Sequence, residues 1–552
     1  MFTNTHSPGT NRRTFLQWAG IGALTAAGAG SLSACGSQAT LEASGAGSVT
    51  LPAFTPAKGL TPDLPGTDQG APPGFFSYPK KPSASVPEPP LDGQKFSAIT
   101  NIFGPPSRER SNNPAWQEVE KRLGARVDIT AVSASDYSTK FNTVVASDDL
   151  PDLMLNNGAS IPNIVGFLEA ECQDLTTFIS GDAVSDYPNL AAIPEIFWKQ
   201  TVHAGKIYEL PIPRSMTGGS GFYNHTLFSD AGVDDTSTIA SVDDYFSLLK
   251  DLTNPSDDRW ALGSTGYGLP PFYHIFNVPN YWSLKDGALT YYFETEEYLE
   301  AIGFAEKAMK AGLFYPGSAG WTKSQMVNAF ISGRVAQIYD GLPAFQGPTG
   351  YAKSLPQAKS DRKALPFLPF GHDGGKPTPW LDNIVFATVM LKKGDDTRIR
   401  DALKLANFLA APFGTQEYLL LNYGAEGEDY HLDDHGNPIP TDRAPLDTAV
   451  PWKYLSAPRQ VVYDTTSQQT VKELHEAYST LIPMGIENPC GTLFSPTEAR
   501  KGSAIDQGVS DKAKDFIAGR GSLDELKSAV KTWRSQGGDT IRDEYEKVLA
   551  GE

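Results

Sequence analysis

The body of the chain alternates helix-period and strand-period patterns. Residues 113–124 predict an amphipathic helix that has Pro114 near its start and Gly124 at its end. Residues 125–132 then alternate apolar and polar side chains, as in a half-buried strand. A second helical pattern leads through a turn into a buried strand at residues 152–155. A strand, a helix and a strand on one sheet favour a parallel pair with a right-handed crossover, so the pattern predicts an α/β protein.

The C-terminal third carries local signals for helix starts. Residues 495–498 (Ser-Pro-Thr-Glu) have the spacing of a capping box with proline at the first helical position. Residues 522–525 repeat the box, and residues 537–551 predict a closing helix.

The first 35 residues follow a different pattern. Arg12 and Arg13 precede an uncharged, weakly apolar stretch at residues 15–30 that is too short to span a membrane. The arginine pair resembles a twin-arginine export signal, and residues 32–35 resemble a bacterial lipobox that ends in Cys35. This predicts a signal peptide over residues 1–34 and a lipid on Cys35. An ordinary signal peptide with a chance cysteine, or a buried N-terminal helix, stays open.

Residues 35–93 predict a tether and an arm. Residues 36–50 are rich in small residues and poor in charge, which indicates a flexible spacer. A spacer has no use for aromatic side chains, yet four of them fall within residues 51–92: Phe54, Phe75, Phe76 and Tyr78. That segment is predicted to lie as an irregular arm along the globular body.

Size, charge and cysteine content limit the remaining possibilities. More than 450 residues follow the arm, which exceeds what one hydrophobic core organises, so two lobes are expected. The net charge of −18 argues against a nucleic-acid partner, because binding nucleic acid requires phosphate neutralisation. Cys172 and Cys490 form either a disulfide bridge or two separate buried thiols.

Six blocks of the body carry a family resemblance. In order and spacing they resemble the extracellular solute-binding proteins of bacterial ABC importers, within sugar-binding family 1 and close to its LipO-type lipoproteins. The blocks are residues 141–154, 204–213, 221–233, 329–341, 406–438 and 529–549.

The resemblance implies a periplasmic-binding-protein-like fold, with two α/β lobes joined by a multi-strand hinge around a ligand cleft. Lobe 1 would hold residues 94–213 and 364–415, and lobe 2 would hold residues 214–363 and 416–552. The first crossing would fall near Pro211–Pro213, where two prolines favour extended chain.

The resemblance also implies a function. The protein would be the membrane-anchored, extracellular substrate-binding component of an ABC importer, held at the outer face of the cell membrane through Cys35. It would bind an oligosaccharide or another sugar by hinge closure, without chemistry and without a cofactor. It would be a monomer that delivers its ligand to permease subunits.

A sugar site combines aromatic platforms with planar hydrogen-bonding groups, and loops at strand ends are where α/β sheets place ligands. Each aromatic candidate could instead cover the core edge, and each polar candidate could serve a turn or salt bridge. The candidate ligand contacts are Trp282, Trp380, Trp321, Trp452, Tyr281, Asn156, Asn157, Arg214, Ser215, Tyr339 and Asp340.

Two segments of the sequence are candidate metal sites. Residues 431–435 (His-Leu-Asp-Asp-His) are followed at once by Gly436–Pro438, which predicts a hairpin turn rather than a ligand-bearing helix face. Residues 249–263 match the position of a calcium loop in some LipO-like alginate receptors, but the alternating oxygen ligands and the glycine are missing. The sequence therefore predicts no metal.

Two rival functions remain open at this point. A secreted carbohydrate-active hydrolase would need two carboxylates flanking a cleft, and no local motif supports it. A peptide-binding receptor of the same fold would differ in the charge and shape of its cleft. Composition alone does not show which charged residues line the cleft.

Overall fold

The structure is a computed structural model that describes residues 49–550, apart from residues 58–59, 68, 148, 158–160, 162–163, 216, 218–219, 266–268, 348, 373, 382–383, 466 and 492. The predicted signal peptide, the lipidation at Cys35 and the start of the tether lie outside the described residues.

The strands are short and spread along the chain. They are β1 (Gly74–Phe75), β2 (Gln94–Ile102), β3 (Ala125–Ser133), β4 (Leu153–Asn156), β5 (Val202–His203), β6 (Lys206–Ile207), β7 (Glu209–Pro213), β8 (Ser220–Asn224), β9 (Trp282–Lys285), β10 (Ala288–Tyr291), β11 (Gln337–Asp340), β12 (Ala364–Phe367), β13 (Val385–Leu391), β14 (Tyr430–Leu432), β15 (Pro438–Pro440) and β16 (Val462–Tyr463).

The helices fill the connections. They are α1 (Pro114–Leu123), α2 (Tyr137–Ala146), α3 (Ile164–Glu171), α4 (Thr176–Ile179), α5 (Pro188–Ala191), α6 (Glu195–Trp198), α7 (His225–Asp230), α8 (Val242–Leu252), α9 (Pro270–Ile275), α10 (Glu296–Lys310), α11 (Lys323–Ile331), α12 (Tyr351–Ala358), α13 (Asp396–Leu409), α14 (Gln416–Tyr423), α15 (Ala444–Asp447), α16 (Gln468–Met484), α17 (Ser503–Ile517), α18 (Leu523–Trp533) and α19 (Asp539–Ala550).

A five-stranded mixed sheet organises the first core, in the order β3-β2-β4-β13-β7. β2 is parallel to β3 and β4, and β13 is antiparallel to β4 and β7. The two predicted strands, β3 and β4, are parallel members of this sheet as expected, but β2 lies between them, so they do not pair directly. The caps of α1 are also confirmed, because Asn113 accepts a hydrogen bond from the Trp116 amide and Gly124 ends the helix at φ 72°.

A smaller antiparallel sheet, in the order β11-β8-β12, organises the rest of the body. The second core packs against it, with contributions from α8, α10 and the C-terminal helices α17–α19. A third apolar cluster lies between this sheet and α11, α12 and α16. The capping box at the start of α18 is confirmed, since Ser522 and Glu525 bond reciprocally to each other's backbone amides.

Three segments connect the two sheets and their cores. Residues 214–219 join β7 to β8, and residues 368–384 join β12 to β13. A third crossing, residues 456–461, runs from Leu455 of the first core to Val462 of the third cluster. Pro211–Pro213 lies within β7, in the extended conformation that its prolines favour.

Two segments depart from the predicted lobe limits. β12, at residues 364–367, pairs with β8 and so belongs to the smaller sheet rather than with lobe 1. Val450, Trp452 and Leu455 pack in the first core although residues 416–552 were predicted for lobe 2. The physical reason is that the chain does not leave the first core at residue 415: Leu420 of α14 packs in it, and Arg122 of α1 pairs with the buried Glu417.

The arm packs along the body over much of its described length. Its strand β1 is parallel to β16. Tyr78 is 1% exposed and donates a 2.5 Å hydrogen bond to the Thr415 carbonyl. Nearer its start, the Ala53 amide donates to the Gly181 carbonyl. Phe75 is also buried, whereas Phe54 stays 48% exposed.

The two described cysteines are separate buried thiols, Cys172 in the first core and Cys490 in the second. This settles the choice left open by the sequence, and burial raises the pKa of both thiols. Within the described part of the chain, no helix combines the length and apolar character needed to cross a bilayer.

Candidate functional site

Several strand ends meet at one edge of the five-stranded sheet. β4 and β7 run in the same direction, because β13 is antiparallel to both. β2 is parallel to β4, so the ends of β2, β4 and β7 share an edge with the start of β13. The side chains just beyond this edge include Phe103, Asn157, Arg214 and Phe386. Such an edge is where ligands bind in open α/β sheets.

Three aromatic rings form a first aromatic face at this edge: Phe103, Phe386 and Tyr454. Their centroids lie 5.6–5.9 Å apart. Phe103 is 59% exposed, and the guanidinium carbon of Arg214 lies 5.5 Å from the Phe386 centroid. An exposed ring beside a cation–π pair gives a flat apolar surface with a hydrogen-bond donor at its rim.

A buried carboxylate fixes the polar side chains behind this face. Glu209, 1% exposed, accepts hydrogen bonds from the Asn156 amide at 2.9 Å and from the Thr388 hydroxyl at 2.6 Å. Its second oxygen lies 2.8 Å from His203 Nε2. The Asn156 side chain is therefore already oriented before ligand binds. This preorganisation avoids the entropic cost of ordering the side chain on binding.

A second aromatic face consists of Trp380 on the crossing from β12 to β13, Tyr273 of α9 and Tyr281 on the loop after α9. The Trp380 indole N–H donates a 2.8 Å hydrogen bond to the Val278 carbonyl, and Tyr273 stacks on the indole at 5.5 Å and 24°. The Tyr281 centroid is 5.4 Å from Trp380, and this side chain is 45% exposed at φ 59°. Positive φ in a non-glycine residue is uncommon and is concentrated at functional loops.

His274 lies beneath the second aromatic face. It is 3% exposed, and burial lowers its pKa to about 3, so the imidazole is neutral. Its Nε2 has no hydrogen-bond partner among the described residues. The imidazole lies 6.3 Å from Trp380 and 6.1 Å from Tyr339, so it links the second face to the end of β11.

The crossings connect one edge of the smaller sheet to the edge of the larger sheet that carries the first aromatic face. At the smaller sheet, Ser220 opposes Asp340 and Gly221 opposes Phe367, so the start of β8 shares an edge with the ends of β11 and β12. Residues 214–219 and residues 368–384 connect this edge to the edge of the larger sheet at which β7 ends and β13 begins. The Ser215 amide also donates a 3.1 Å hydrogen bond to Gln460 of the third crossing.

The comparisons with known proteins identify the family. The model for bacterial extracellular solute-binding proteins matches residues 106–415, more than half of the chain. The chain belongs to this family. Its fold is periplasmic-binding-protein-like, with two α/β lobes joined by a multi-strand hinge, which confirms the predicted fold class. Proteins of this family bind solutes without transforming them, so the chain is a binding protein and not an enzyme.

Two curated relatives come from Bacillus subtilis (strain 168). "Lipoprotein LipO" is 22% identical over 470 residues, covering 80% of this chain and 90% of the relative. "Polygalacturonan/rhamnogalacturonan-binding protein YtcQ" is 21% identical over 465 residues, covering 79% and 88%. Among solved structures, the S. pneumoniae ABC-transporter substrate-binding protein FusA in complex with kestose has a TM-score of 0.62 at 15% identity, covering 83% of this chain and 100% of FusA.

In this solute-binding protein, three predicted tryptophans lie away from the two faces. Trp282 is 3% exposed in the second core, 4.7 Å from Tyr291, because the β9–β10 hairpin turns it inward. Trp452 is 4% exposed in the first core, packed edge-on against Trp116. Trp321 is partly buried against Tyr315, at 4.7 Å.

The predicted polar candidates differ in position and in how many of their hydrogen-bonding groups already bond to other protein groups. Asn156, Asn157, Arg214 and Ser215 lie at or just beyond the edge of the larger sheet. Tyr339 and Asp340 end β11. Asp340 is already fully engaged, since it accepts from the Tyr351 hydroxyl and pairs with Lys323, both at 2.5 Å.

Six residues of the two faces and their supports were not predicted as ligand contacts: Phe103, Phe386, Tyr454, Tyr273, Glu209 and His274. Phe103 follows β2 directly, so the rule that selected Asn156 at the end of β4 also selects it. Tyr454 has no such signal, because it reaches the site only through the return of the chain to the first core.

The two candidate metal segments, residues 431–435 and 249–263, have structural roles. The predicted hairpin turn is present: His431 and Leu432 end β14, residues 433–437 form the turn to β15, and Asp433 accepts hydrogen bonds from the His435 and Asn437 backbone amides. In residues 249–263, Asp258 pairs with Arg334 at 3.0 Å. Over the described ranges, no group of three or more metal-ligating side chains comes together.

Proposed function

We propose that this chain is the membrane-anchored, extracellular substrate-binding component of an ABC importer, and that it binds an oligosaccharide. The observation that carries the proposal is the pair of aromatic faces at the two sheet edges that the crossings connect. Hinge closure brings these faces onto opposite sides of one ligand, and no bond in the ligand is broken.

The chemistry of the faces favours a sugar. Pyranose and furanose rings present apolar C–H faces surrounded by hydroxyl groups, so they stack on aromatic rings and hydrogen-bond at the rim. Phe103 and Trp380 provide such rings, one from each side. Arg214 provides a cationic donor at the rim of the first face, and Asn156 and the neutral His274 provide uncharged polar groups.

The span of the site favours more than one sugar unit. The first face belongs to the larger sheet and the second to the crossing that leaves the smaller sheet, so a ligand that touches both extends across the cleft. Similarity to YtcQ, whose name records polygalacturonan and rhamnogalacturonan binding, and to FusA in complex with kestose supports this substrate class.

The remaining parts of the proposal concern location and partners. A lipid on Cys35 anchors the chain at the outer face of the cell membrane, and the spacer predicted at residues 36–50 separates the anchor from the lobes. Stable attachment requires more than one acyl chain, which bacterial lipoproteins carry. The protein acts as a monomer and delivers its ligand to the permease subunits of the importer.

A ligand panel tests the proposal. Residues 43–552 form one compact unit, so a chain that begins after Cys35 is suitable. Its melting temperature is measured against plant, fungal and bacterial oligosaccharides and against peptides. Ligand that binds the folded state raises the melting temperature with concentration. We expect a shift with at least one oligosaccharide, and none with peptides.

The other outcomes are equally informative. A shift with peptides alone would replace the sugar by a peptide ligand. Chromatography of the bound oligosaccharide after prolonged incubation should recover it unchanged, and recovery of shorter products would contradict the absence of chemistry.

A further inference from the structure

A cavity of about 440 Å³, here called the arm groove, shares no lining residue with the two aromatic faces. Its walls come from the arm, from residues 412–415, from Pro458, Arg459 and Val461 of the third crossing, and from Asn189, Ala192 and Pro194. Cavities of this size hold small organic ligands.

The walls of the arm groove are largely apolar. Phe75 of the arm stacks on Phe413 at 4.5 Å, and Phe54 and Leu60 are 48% and 39% exposed at the groove. Several lining residues are prolines, which have no backbone N–H to donate. Such walls suit a hydrocarbon more than a polyhydroxylated sugar.

One cation breaks this apolar lining. Arg459 is partly buried in the groove, and it forms neither an ion pair nor a hydrogen bond with any described residue. Burial lowers its pKa, with no charged neighbour contributing. Lys81, at the exposed rim, is likewise without a partner in the described part of the chain, and none of the described lining residues is acidic.

An uncompensated, partly buried guanidinium is costly, because it gives up hydration and gains no partner. Guanidinium groups form their strongest contacts with carboxylates, through two parallel N–H···O bonds. An anion that also has an apolar body would compensate the charge and cover the exposed rings at the same time.

We propose that the arm groove binds an organic carboxylate with a hydrocarbon body, of the medium-chain fatty-acid type. Its carboxylate pairs with Arg459, and its chain lies along Leu60, Phe75 and Phe413. The arm groove shares no lining residue with the two aromatic faces, so this inference does not rest on the proposed sugar ligand.

Titration calorimetry with decanoate tests the proposal, using the chain that begins after Cys35. Decanol, which has the same chain but no charge, is the ligand control. We expect decanoate to bind at least tenfold more tightly than decanol, and Arg459→Gln to weaken decanoate binding at least tenfold, because a charge-assisted pair is lost. Arg459→Lys, which keeps the charge, should retain more affinity than Arg459→Gln.

A matched control is Arg520→Gln, since Arg520 is exposed and pairs with Asp515 in the C-terminal helices. It should leave decanoate affinity unchanged. Because Arg459 has no partner to lose, Arg459→Gln should melt no lower than the parent chain. The proposal is overturned if decanoate does not bind, if decanol binds equally well, or if both glutamine variants bind decanoate like the parent.

Discussion

The replacement Trp380→Ala is the most direct test of the second aromatic face. The indole is held in place from two directions, by the hydrogen bond from its N–H to Val278 and by stacking on Tyr273. Its orientation therefore exists before ligand arrives, and the ring face turned away from Tyr273 is the surface that a sugar would cover.

The size of the effect follows from the surface involved. A tryptophan side chain buries about 150–250 Å², and a sugar on one face would cover roughly a third of it. At about 25 cal/mol per Å², the contact contributes roughly 1.3–2 kcal/mol. Trp380→Ala should therefore raise the Kd for the oligosaccharide found in the panel by roughly tenfold to thirtyfold.

The assay is titration calorimetry well below the melting temperature, with Trp380→Phe as the matched variant. Phenylalanine keeps a smaller aromatic face and loses the hydrogen bond to Val278, so its Kd should lie between those of the parent and the alanine variant. The alanine variant should melt lower but stay folded, since Trp380 is only partly buried. An unchanged Kd in a folded Trp380→Ala protein would refute the reasoning and make this ring structural.

Three further outcomes are expected. Burial raises the pKa of Glu498 from 4.5 to about 7, so the folded state holds a proton that the unfolded chain releases, and stability should fall as pH rises through this window. Burial also raises the pKa of Asp506 and Asp429, so Glu498→Gln should reduce this slope without abolishing it. Urea unfolding at several pH values measures the slope, and equal slopes in the parent and the variant would contradict the reasoning. Gly414 has φ 90°, and an added Cβ would lie 2.1 Å from Leu60 of the arm. Because this clash would displace the arm, Gly414→Ala should speed its proteolysis. An unchanged rate would show that the arm adapts. Phe103 is 59% exposed, so Phe103→Ala should change the unfolding free energy by less than about 0.5 kcal/mol yet weaken sugar binding at least fivefold; intact affinity would remove it from the site.

Local signals predicted local structure well. The proline and glycine that bracket α1, the alternation in β3 and the box at Ser522 each depend on residues a few positions apart, and each element lies within a residue or two of its predicted limits. The turn at residues 431–435 follows the same rule, since its glycine and proline act on the adjacent backbone.

The positions of residues that depend on partners far away in the chain were harder to predict from the sequence. Trp282 has the loop sequence of a binding residue, but only the register of β9 against β10 shows that it turns into the core. Tyr78 is buried by Thr415, 337 residues away in the chain. Tyr454 joins the first face for the same kind of reason, because no local pattern indicates that the chain returns to the first core after α13.

The composition of the first core bears on how the protein is made. This core draws on Leu91 near its beginning and on Leu455 near its end, with Phe96, Trp198 and Phe408 between them. A growing polypeptide therefore cannot complete it until about four-fifths of the residues have been synthesised. Until then the apolar side chains of β2, β3 and β4 lack their final neighbours, which is the condition in which nascent chains aggregate or recruit chaperones.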